Sequence, residues 1–319
     1  IVNMKTNDLE NQYNKAINDI DEIVKMINDP TPVSKLTSYK DVEFKSNFTE
    51  EEYADTVNKT KEYIFDGDIF QAVISRRFET KYEGSLLNAY RVLRVTNPSP
   101  YMVFMKIGEN EIISTSPETL VRYQNGRMTT FPIAGSRPRG KTEEEDIALE
   151  KDLLQDEKEL SEHNMLVDLG RNDIGKISKF NSVTVTEYMK VLRYSKIMHI
   201  CSEVQSDALD TVDSFDAIEA VLPAGTLSGA PKVRACEIIE ELEKCPRGIY
   251  GGAIGYIDFN GNMDTCIAIR MASKIKDKVY VQAGVGIVAD SIPLYEYMES
   301  YNKALAVMNA IKNAGEVEE

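Results

Sequence analysis

Short strand-like segments joined by tight turns recur in this chain, and they restrict its fold more than any other feature. Four of them, residues 101–107, 111–114, 119–123 and 128–133, follow one another closely, and Asn125-Gly126 supplies a hairpin turn before the last. The segments 182–188, 197–204, 250–259, 264–275 and 279–290 have the same character, and the last three are predicted to form a β-meander. The pattern predicts antiparallel sheet.

Segments of helical spacing lie before, between and after these strands. Apolar residues from Leu9 to Ile27 recur at helical intervals, and a polar linker follows to about Asn47. Thr49 and Glu52 form a capping box that opens the next helix. Further helices are predicted over 86–95, 214–221 and 293–312. The chain is therefore predicted to be α+β, with helices on the outer side of the sheet and with one large domain, 48–319, after an N-terminal helix and linker, 1–47.

Composition excludes several classes of partner. Lys and Arg number 37 against 52 Asp and Glu, and the formal net charge of −15 disfavours nucleic acid, whose phosphates need a basic surface. No apolar run approaches bilayer length, so no membrane partner is expected. The four cysteines show no C-x-x-C spacing, which favours free thiols in a reducing compartment. We expect a cytoplasmic protein.

An acidic helix over residues 158–169 is the first candidate site. It places Glu159 and Glu162 on one face, because residues three apart are neighbours on a helix. A second pair, Glu296 and Glu299, has the same spacing on the last helix. If the pairs face each other, their oxygens form a site for a hard divalent cation such as Mg²⁺. The alternative is a solvated acidic face, with Glu299 paired to Lys303 four residues later.

Four other polar features each leave two interpretations open. Residues 131–140 combine two arginines with Gly and Pro, which suits either an anionic ligand or a surface loop. Residues 225–232 form a Gly-rich loop before a helix, which suits either an anion site or a turn with Ser228 near the N-cap. His199 lies between apolar neighbours, which suits either a core residue or a catalyst. Arg270 lies in an apolar strand-like run and needs a buried partner or an anionic ligand.

Taken together, these segments resemble the chorismate-utilising enzymes, and within them the synthase subunits of anthranilate synthases. The resemblance implies that the antiparallel sheets pack as a sandwich with helices on the outer faces. The matching stretches run in family order over roughly residues 50 to 310, and they are 67–71, 116–118, 132–140, 158–173, 198–204, 225–232, 250–256, 264–270, 282–286 and 296–303.

The resemblance implies a binding mode for chorismate beside one Mg²⁺ ion. Glu162 and Glu299 would be direct metal ligands, and Glu159 and Glu296 would hold the metal's waters. Binding of the substrate is implied for Arg270, Tyr250, Thr226, Lys303 and the backbone near Gly284 and Gly286. Catalytic roles are implied for His199, which is linked to pyruvate elimination, for Glu118 and Ser136, which lie near the substrate oxygens, and for Gln71.

The resemblance also implies a reaction: Mg²⁺-dependent conversion of chorismate and ammonia to anthranilate and pyruvate, in tryptophan biosynthesis. Ammonia would come from glutamine through a partner amidotransferase subunit. Relatives that add water carry a lysine base where Gln71 stands, and many aminodeoxychorismate synthases carry a nucleophilic lysine where Ala134 stands. Ser136 replaces the commoner Thr.

Two alternatives stay open beside this reaction. One is aminodeoxychorismate synthase, of the folate pathway. The other is a truncated fragment that binds chorismate or a partner without turnover, because subunits of this family normally carry a further N-terminal region. Homo-oligomers and hetero-oligomers are equally compatible with the sequence.

Overall fold

A computed structural model describes residues 8–30, 42–194 and 197–316, and the chain divides into two compact units, Ile1–Leu36 and Thr37–Glu319. The first unit contains helix α1, Leu9–Ile27, which has no buried residue. Asn28 caps its end and donates its backbone N–H to the Val24 carbonyl oxygen. Most of the predicted linker, residues 31–41, lies outside the described residues.

The second unit contains seven helices and fourteen strands among its described residues. The helices are α2 Glu50–Phe65, α3 Leu87–Thr96, α4 Glu143–Leu153, α5 Glu157–Gly175, α6 Ser214–Val221, α7 Lys232–Leu242 and α8 Pro293–Lys312. The strands are β1 Lys45–Ser46, β2 Gln71–Lys81, β3 Tyr101–Ile107, β4 Asn110–Ser116, β5 Thr119–Gln124, β6 Arg127–Thr130, β7 Ile133–Pro138, β8 Thr184–Arg193, β9 Ile197–Asp207, β10 Gly229–Ala230, β11 Ala253–Ile257, β12 Met263–Ile267, β13 Met271–Ile275 and β14 Lys278–Ile287.

The strands form two antiparallel sheets of seven strands each. In the first sheet the order is β1-β2-β14-β13-β4-β3, with β10 also paired to β2. In the second the order is β11-β12-β5-β6-β9-β7, with β8 also paired to β9. The predicted α+β fold with antiparallel sheets is confirmed.

One apolar core joins the two sheets. Ile112 and Met271 from the first sheet belong to the same buried cluster as Val121, Met128 and Val204 from the second. A second cluster lies between the first sheet and helices α3 and α8. Burial of this continuous apolar surface stabilises the sandwich, at roughly 25 cal/mol per Å² removed from water.

Local sequence signals fix the ends of the helices that lead to the site. Thr49 and Glu52 exchange hydrogen bonds in a capping box at the start of α2, as predicted. The Asp156 carboxylate accepts from the backbone N–H groups of Lys158 and Glu159, so α5 begins just before the acidic pair. Pro293 occupies the first turn of α8, as its missing N–H allows.

Three predicted elements differ from the structure. Residues 68–75 alternate like a strand in the sequence, but strand β2 begins only at Gln71, and Phe70 is exposed. The predicted loop over 131–140 contains strand β7, which pairs with β9. The predicted strand over 264–275 is two strands in different sheets, so the last third is not a simple meander. The chain crosses between the sheets at Arg270, whose φ of 48° takes it out of the extended conformation.

Candidate active site

Helix α5 presents one acidic pair of the candidate site. Glu159 and Glu162 are both partly buried, and each lies near enough to affect the other. His163 faces away from them and is fully buried, with its Nε2 2.6 Å from Ser202 Oγ. The two glutamates therefore lie on one side of the helix, as the spacing predicts, and His163 packs on another.

Helix α8 presents the second pair. Glu296 is partly buried, whereas 53% of the Glu299 side chain is exposed. Lys303 forms an ion pair with Glu299 at 2.7 Å, and its Nζ also lies 3.4 Å from the Gly284 carbonyl oxygen. The predicted helix pair is therefore present, and it lies beside the acidic cluster.

The carboxylates of the two helices share one electrostatic environment. Burial, followed by repulsion from Glu162, raises the pKa of Glu159. Burial also raises the pKa of Glu162, with attraction by Lys303 opposing it and repulsion by Glu299 adding to it. Burial raises the pKa of Glu296, and repulsion by Glu299 adds to this shift. The site thus concentrates negative charge that the protein's own cations only partly offset.

A hard cation would meet suitable donors here. Carboxylate oxygens are the ligands that Mg²⁺ takes in proteins, and Glu299 repels both Glu162 and Glu296, so the two acidic pairs lie near each other. Among residues 8–30, 42–194 and 197–316, however, no three Asp, Glu, His or Cys side chains already lie in an arrangement that holds a metal. Lys303 instead pairs with Glu299 in this arrangement.

Arg270 is half-buried beside helix α8, and little of its charge is balanced. Its Nη1 donates to the Lys303 carbonyl oxygen at 3.0 Å. In the described part of the chain, Arg270 forms no ion pair with a carboxylate, although Glu118 and Glu299 influence its charge. Burial is the main effect, and it lowers the pKa of Arg270. A guanidinium held this way is suited to an anionic ligand.

Tyr250 and two glycines form the wall next to Arg270. Tyr250 is 7% exposed, and burial raises its pKa to about 12. The space a Cβ would take at Gly284 is 3.1 Å from the Tyr250 hydroxyl oxygen. A Cβ at Gly286 would lie 2.1 Å from Nε2 of Gln71, whose buried Oε1 has no hydrogen-bond partner in the described structure. Both Cβ positions are therefore already crowded by neighbouring side chains, and a side chain at either glycine would displace them.

Glu118 and Thr226 meet at another side of the cleft. The Thr226 hydroxyl donates to Glu118 Oε1 at 2.8 Å. Burial raises the pKa of Glu118 to about 7, while Thr226, Lys303 and Arg270 oppose the shift. A carboxyl with a pKa near neutrality can either hold or accept a proton during a reaction.

His199 lies on β9, opposite Ser136 of β7. The two residues are direct cross-strand partners, and Ser136 is exposed. His199 Nδ1 lies 3.0 Å from the Gly135 carbonyl oxygen, which can only accept, so Nδ1 carries the proton. Burial, followed by repulsion from Arg270, lowers the pKa of His199, so its neutral form is favoured and Nε2 is left as a base.

Neighbouring acids neutralise the two arginines of residues 131–140. Arg137 pairs with Asp152 at 2.6 Å and with Asp156 at 2.8 Å, and Arg139 pairs with Asp146. Their interpretation as anion-binding residues is therefore not supported, because acids of α4 and its C-terminal turn neutralise them.

The Gly-rich loop of residues 225–232 fits neither of its two interpretations, the anion site or the turn with Ser228 near the N-cap. Lys232 forms an ion pair with Asp173 at 2.6 Å and does not point to a ligand. Pro231, not Ser228, is the N-cap of α7. The Ser228 hydroxyl donates to the Ala224 carbonyl oxygen and holds the turn that carries Thr226.

A buried network behind Tyr250 is not evident from the sequence. Arg247 pairs with Glu243 at 2.6 Å and donates to the carbonyl oxygens of Leu227 and Val73. Its guanidinium carbon lies 5.9 Å from the centre of the Tyr250 ring. Glu243 also accepts from the Ser75 hydroxyl at 2.8 Å. Only the four-residue spacing of Glu243 and Arg247 hints at this network.

The chain is similar to known proteins over most of its length. The family described as chorismate binding enzyme matches residues 1–309. Anthranilate synthase component 1 from Acetivibrio thermocellus is 52% identical and is aligned over 99% of this chain and 66% of its own length. The protein of the same name from Aquifex aeolicus is 51% identical, over 98% of this chain and 64% of its own length.

The fold is also similar to that of solved structures. Anthranilate synthase component I from Streptococcus pneumoniae superposes with a TM-score of 0.84 at 45% identity, over 91% of this chain and 65% of that one. The menaquinone-specific isochorismate synthase from Escherichia coli shares the fold, with a TM-score of 0.81 at 21% identity, over 94% of this chain and 69% of that one. The chain thus spans about two thirds of the length of the curated relatives. None of the described helices combines the length and apolar character needed to cross a bilayer.

Proposed function

This chain belongs to the family of chorismate binding enzymes, and from that premise we propose that it converts chorismate and ammonia to anthranilate and pyruvate. The reaction would serve tryptophan biosynthesis. Ammonia would come from a glutamine amidotransferase subunit, which suits relatives whose name includes "component 1".

Arg270 is the observation that carries the proposal. Its guanidinium is half-buried beside Tyr250 and has no ion-paired carboxylate in the described structure. A carboxylate ligand would supply the missing negative charge and accept the free N–H groups. The enolpyruvyl carboxylate of chorismate fits this requirement, and the Tyr250 hydroxyl and the backbone at Gly284 and Gly286 would complete its site.

The acidic helices would hold Mg²⁺ against the ring carboxylate. Glu162 and Glu299 would be its direct ligands, with Glu159 and Glu296 binding its waters. Lys303, which pairs with Glu299, would also contact the substrate. When bound, Mg²⁺ would draw electron density toward the ring carboxylate and ease departure of the C4 hydroxyl.

Two side chains are suited to the proton transfers. The Glu118 carboxyl, with a pKa near 7, can give a proton to the departing C4 hydroxyl. His199, neutral and protonated at Nδ1, can accept the C2 proton at Nε2 as pyruvate leaves. Thr226 would lie along the ring while bonded to Glu118, and Ser136 would face the substrate oxygens beside His199.

Two positions favour anthranilate over the alternative products. Gln71 is a neutral amide, so it cannot deprotonate water as the lysine of water-adding relatives does. Ala134 lacks a nucleophile, which disfavours covalent attack on the ring by the protein. Aminodeoxychorismate synthase remains the second candidate, because it uses the same substrate and nucleophile.

Incubation with chorismate, Mg²⁺ and ammonium tests the proposal. The chain has no Trp, so anthranilate fluorescence is measured over a tyrosine background alone. We expect anthranilate and pyruvate in equal amounts, and chromatography distinguishes them from a 4-amino product. A 4-amino product would make the chain an aminodeoxychorismate synthase, and chorismate binding without turnover would make it a binding fragment.

Two matched pairs of variants test whether Arg270 binds chorismate and whether Glu162 binds Mg²⁺. Arg270→Lys should weaken chorismate binding at least tenfold, because an ammonium cannot replace a bidentate guanidinium. Arg171→Lys, at an exposed pair with Asp168, should change nothing. Glu162→Gln should raise the Mg²⁺ concentration required for activity, whereas Glu157→Gln on the exposed side of α5 should not.

A further inference from the structure

Arg76 of strand β2 is a charged residue buried beneath helix α8. It is 1% exposed, and in the described part of the chain its guanidinium forms no ion pair with a carboxylate. Three aromatic rings surround the charge instead: the guanidinium carbon lies 3.7 Å from the centre of the Tyr297 ring, 5.1 Å from that of Phe78 and 5.2 Å from that of Tyr53. Burial lowers the pKa of Arg76, so the charge is kept there at a cost in free energy. An apolar side chain would fill the same space without this cost.

The Arg76 guanidinium donates hydrogen bonds to two points on α8. Its Nε donates to Ser300 Oγ at 2.9 Å, and its Nη2 donates to the Tyr297 carbonyl oxygen at 2.6 Å. The Ser300 hydroxyl donates to the same carbonyl oxygen at 2.9 Å, so the three groups form a closed set of hydrogen bonds. A planar guanidinium that bonds at two points fixes the rotation of the helix relative to the strand, which an apolar contact does not.

The contacted residues of α8 lie next to its acidic pair. Tyr297 directly follows Glu296, and Ser300 directly follows Glu299, so the acids lie on the helix face beside the one that Arg76 holds. A rotation of α8 by roughly 20° would move a side chain at the helix surface, about 5–6 Å from the axis, by about 2 Å. Groups that bind a ligand together must be held to within about 0.5 Å. The orientation of α8 therefore decides whether its carboxylates meet those of α5.

We propose that Arg76 is a positioning residue, which holds α8 in the orientation that points Glu296 and Glu299 toward the acidic pair of α5. It acts through the helix and contacts neither substrate nor metal. The charge is retained because only a guanidinium bonds to the helix at both points. The inference rests on the proposed function, in which these carboxylates hold Mg²⁺, and it adds a residue on which their geometry depends.

Calorimetric titration of the full chain with Mg²⁺, with chorismate present and ammonium absent, tests this role. Arg76→Lys keeps a charge among the three rings, but an ammonium does not reproduce the two-point contact. We expect the Kd for Mg²⁺ to rise roughly tenfold, as when other residues that orient metal ligands are changed. Ser300→Ala removes one of the two points and should raise the Kd less. The combined variant should lose little more than Arg76→Lys alone, because both changes break one contact.

Two control variants separate positioning from stability. Arg77→Lys is the matched change on the opposite face of β2, where the Arg77 guanidinium carbon lies 5.0 Å from the centre of the Tyr280 ring, and it should leave the Kd for Mg²⁺ unchanged. Met128→Ala, in the core between the two sheets, should lower the melting temperature and leave the Kd unchanged.

An unchanged Kd for Mg²⁺ in Arg76→Lys, or an equal rise in Met128→Ala, would overturn the positioning role while the proposed function stands. Should Arg76→Lys fail to fold, Ser300→Ala decides in its place by the same criterion. Absence of Mg²⁺ binding by the unsubstituted chain would overturn both the positioning role and the proposed metal site.

Discussion

Glu118 combines a buried carboxyl with a role in the proposed reaction, and this gives it a measurable effect on stability. Burial raises its pKa from 4.5 to about 7. Between these values the folded protein binds more protons than the unfolded chain, so the group lowers stability as pH rises. Glu118→Gln should therefore flatten the fall in melting temperature from about pH 5 to pH 7.

Thermal unfolding followed by circular dichroism across this pH range measures the effect. Glu109→Gln, in the exposed turn after β3, is the matched control and should keep the original slope. An unchanged slope in Glu118→Gln would mean that the carboxyl is already ionised in the folded protein at pH 5.

Gly286 is a residue whose missing side chain matters. An added Cβ would lie 2.1 Å from Gln71 Nε2, so Gly286→Ala must displace that side chain. We expect a loss of about 1–3 kcal/mol in the free energy of unfolding, as for other overpacked sites. In a Gln71→Ala background the same change should cost much less, because the clashing amide is gone. Urea unfolding of the four proteins measures this coupling, and strict additivity would contradict it.

At the residue scale, the sequence allowed candidate site residues to be named but not their environments. The spacing of Glu159 with Glu162 predicts one helix face, since helical geometry is local. The apolar run around Arg270 predicts a strand, because it carries no local signal for a φ of 48°. The neutralisation of Arg137 by Asp152 depends on how β7 lies against α4, which no local pattern records.

Arg247 connects separate elements and carries a prediction at their scale. It bonds to Glu243 after α7, to Leu227 in the turn behind Thr226 and to Val73 in β2. Arg247→Met would leave Glu243 buried, with its side chain 5% exposed, and without its cation. We expect a loss of about 3–5 kcal/mol in the free energy of unfolding.

Chorismate affinity should fall in the same variant, because the turn that carries Thr226 loses its anchor. Arg234→Met is the matched control on α7: its pair with Asp68 is 39% and 37% exposed, and its loss should cost less than about 1 kcal/mol. Urea titration and calorimetry measure both quantities. Equal, small losses in the free energy of unfolding would show that the Arg247–Glu243 pair contributes no more than a surface ion pair.

Helix ends were predicted better than strand ends, and the reason is physical. Thr49, Asp213 and Pro293 mark helix starts through local hydrogen bonds or a missing N–H, which the sequence displays. Strand β7 was missed because Gly135 and the prolines around it break the alternation, whereas β9 supplies its pairing from sixty residues away. Whether a segment forms a strand depends on the strand it pairs with, and that partner is often distant in sequence.

At the scale of the whole molecule, periodicity predicts sheet but not which sheet each strand joins. The chain passes from β4 of the first sheet to β5 of the second over Pro117 and Glu118, and back again from β12 to β13 through Arg270. Both crossings lie at the candidate site. The fold therefore brings Glu118 and Arg270 together by the same connections that join the two sheets.

Because these crossings also share one core, the two sheets should unfold together. Met128 is fully buried in the cluster that includes residues of both sheets. Met128→Ala should lower the free energy of unfolding by about 2–5 kcal/mol, from lost burial and the cavity left behind. Tyrosine fluorescence and far-ultraviolet circular dichroism in urea should give one coincident transition before and after the change, with an unchanged slope. Two separated transitions in the variant would show that the sheets are independent folding units joined only at the cleft.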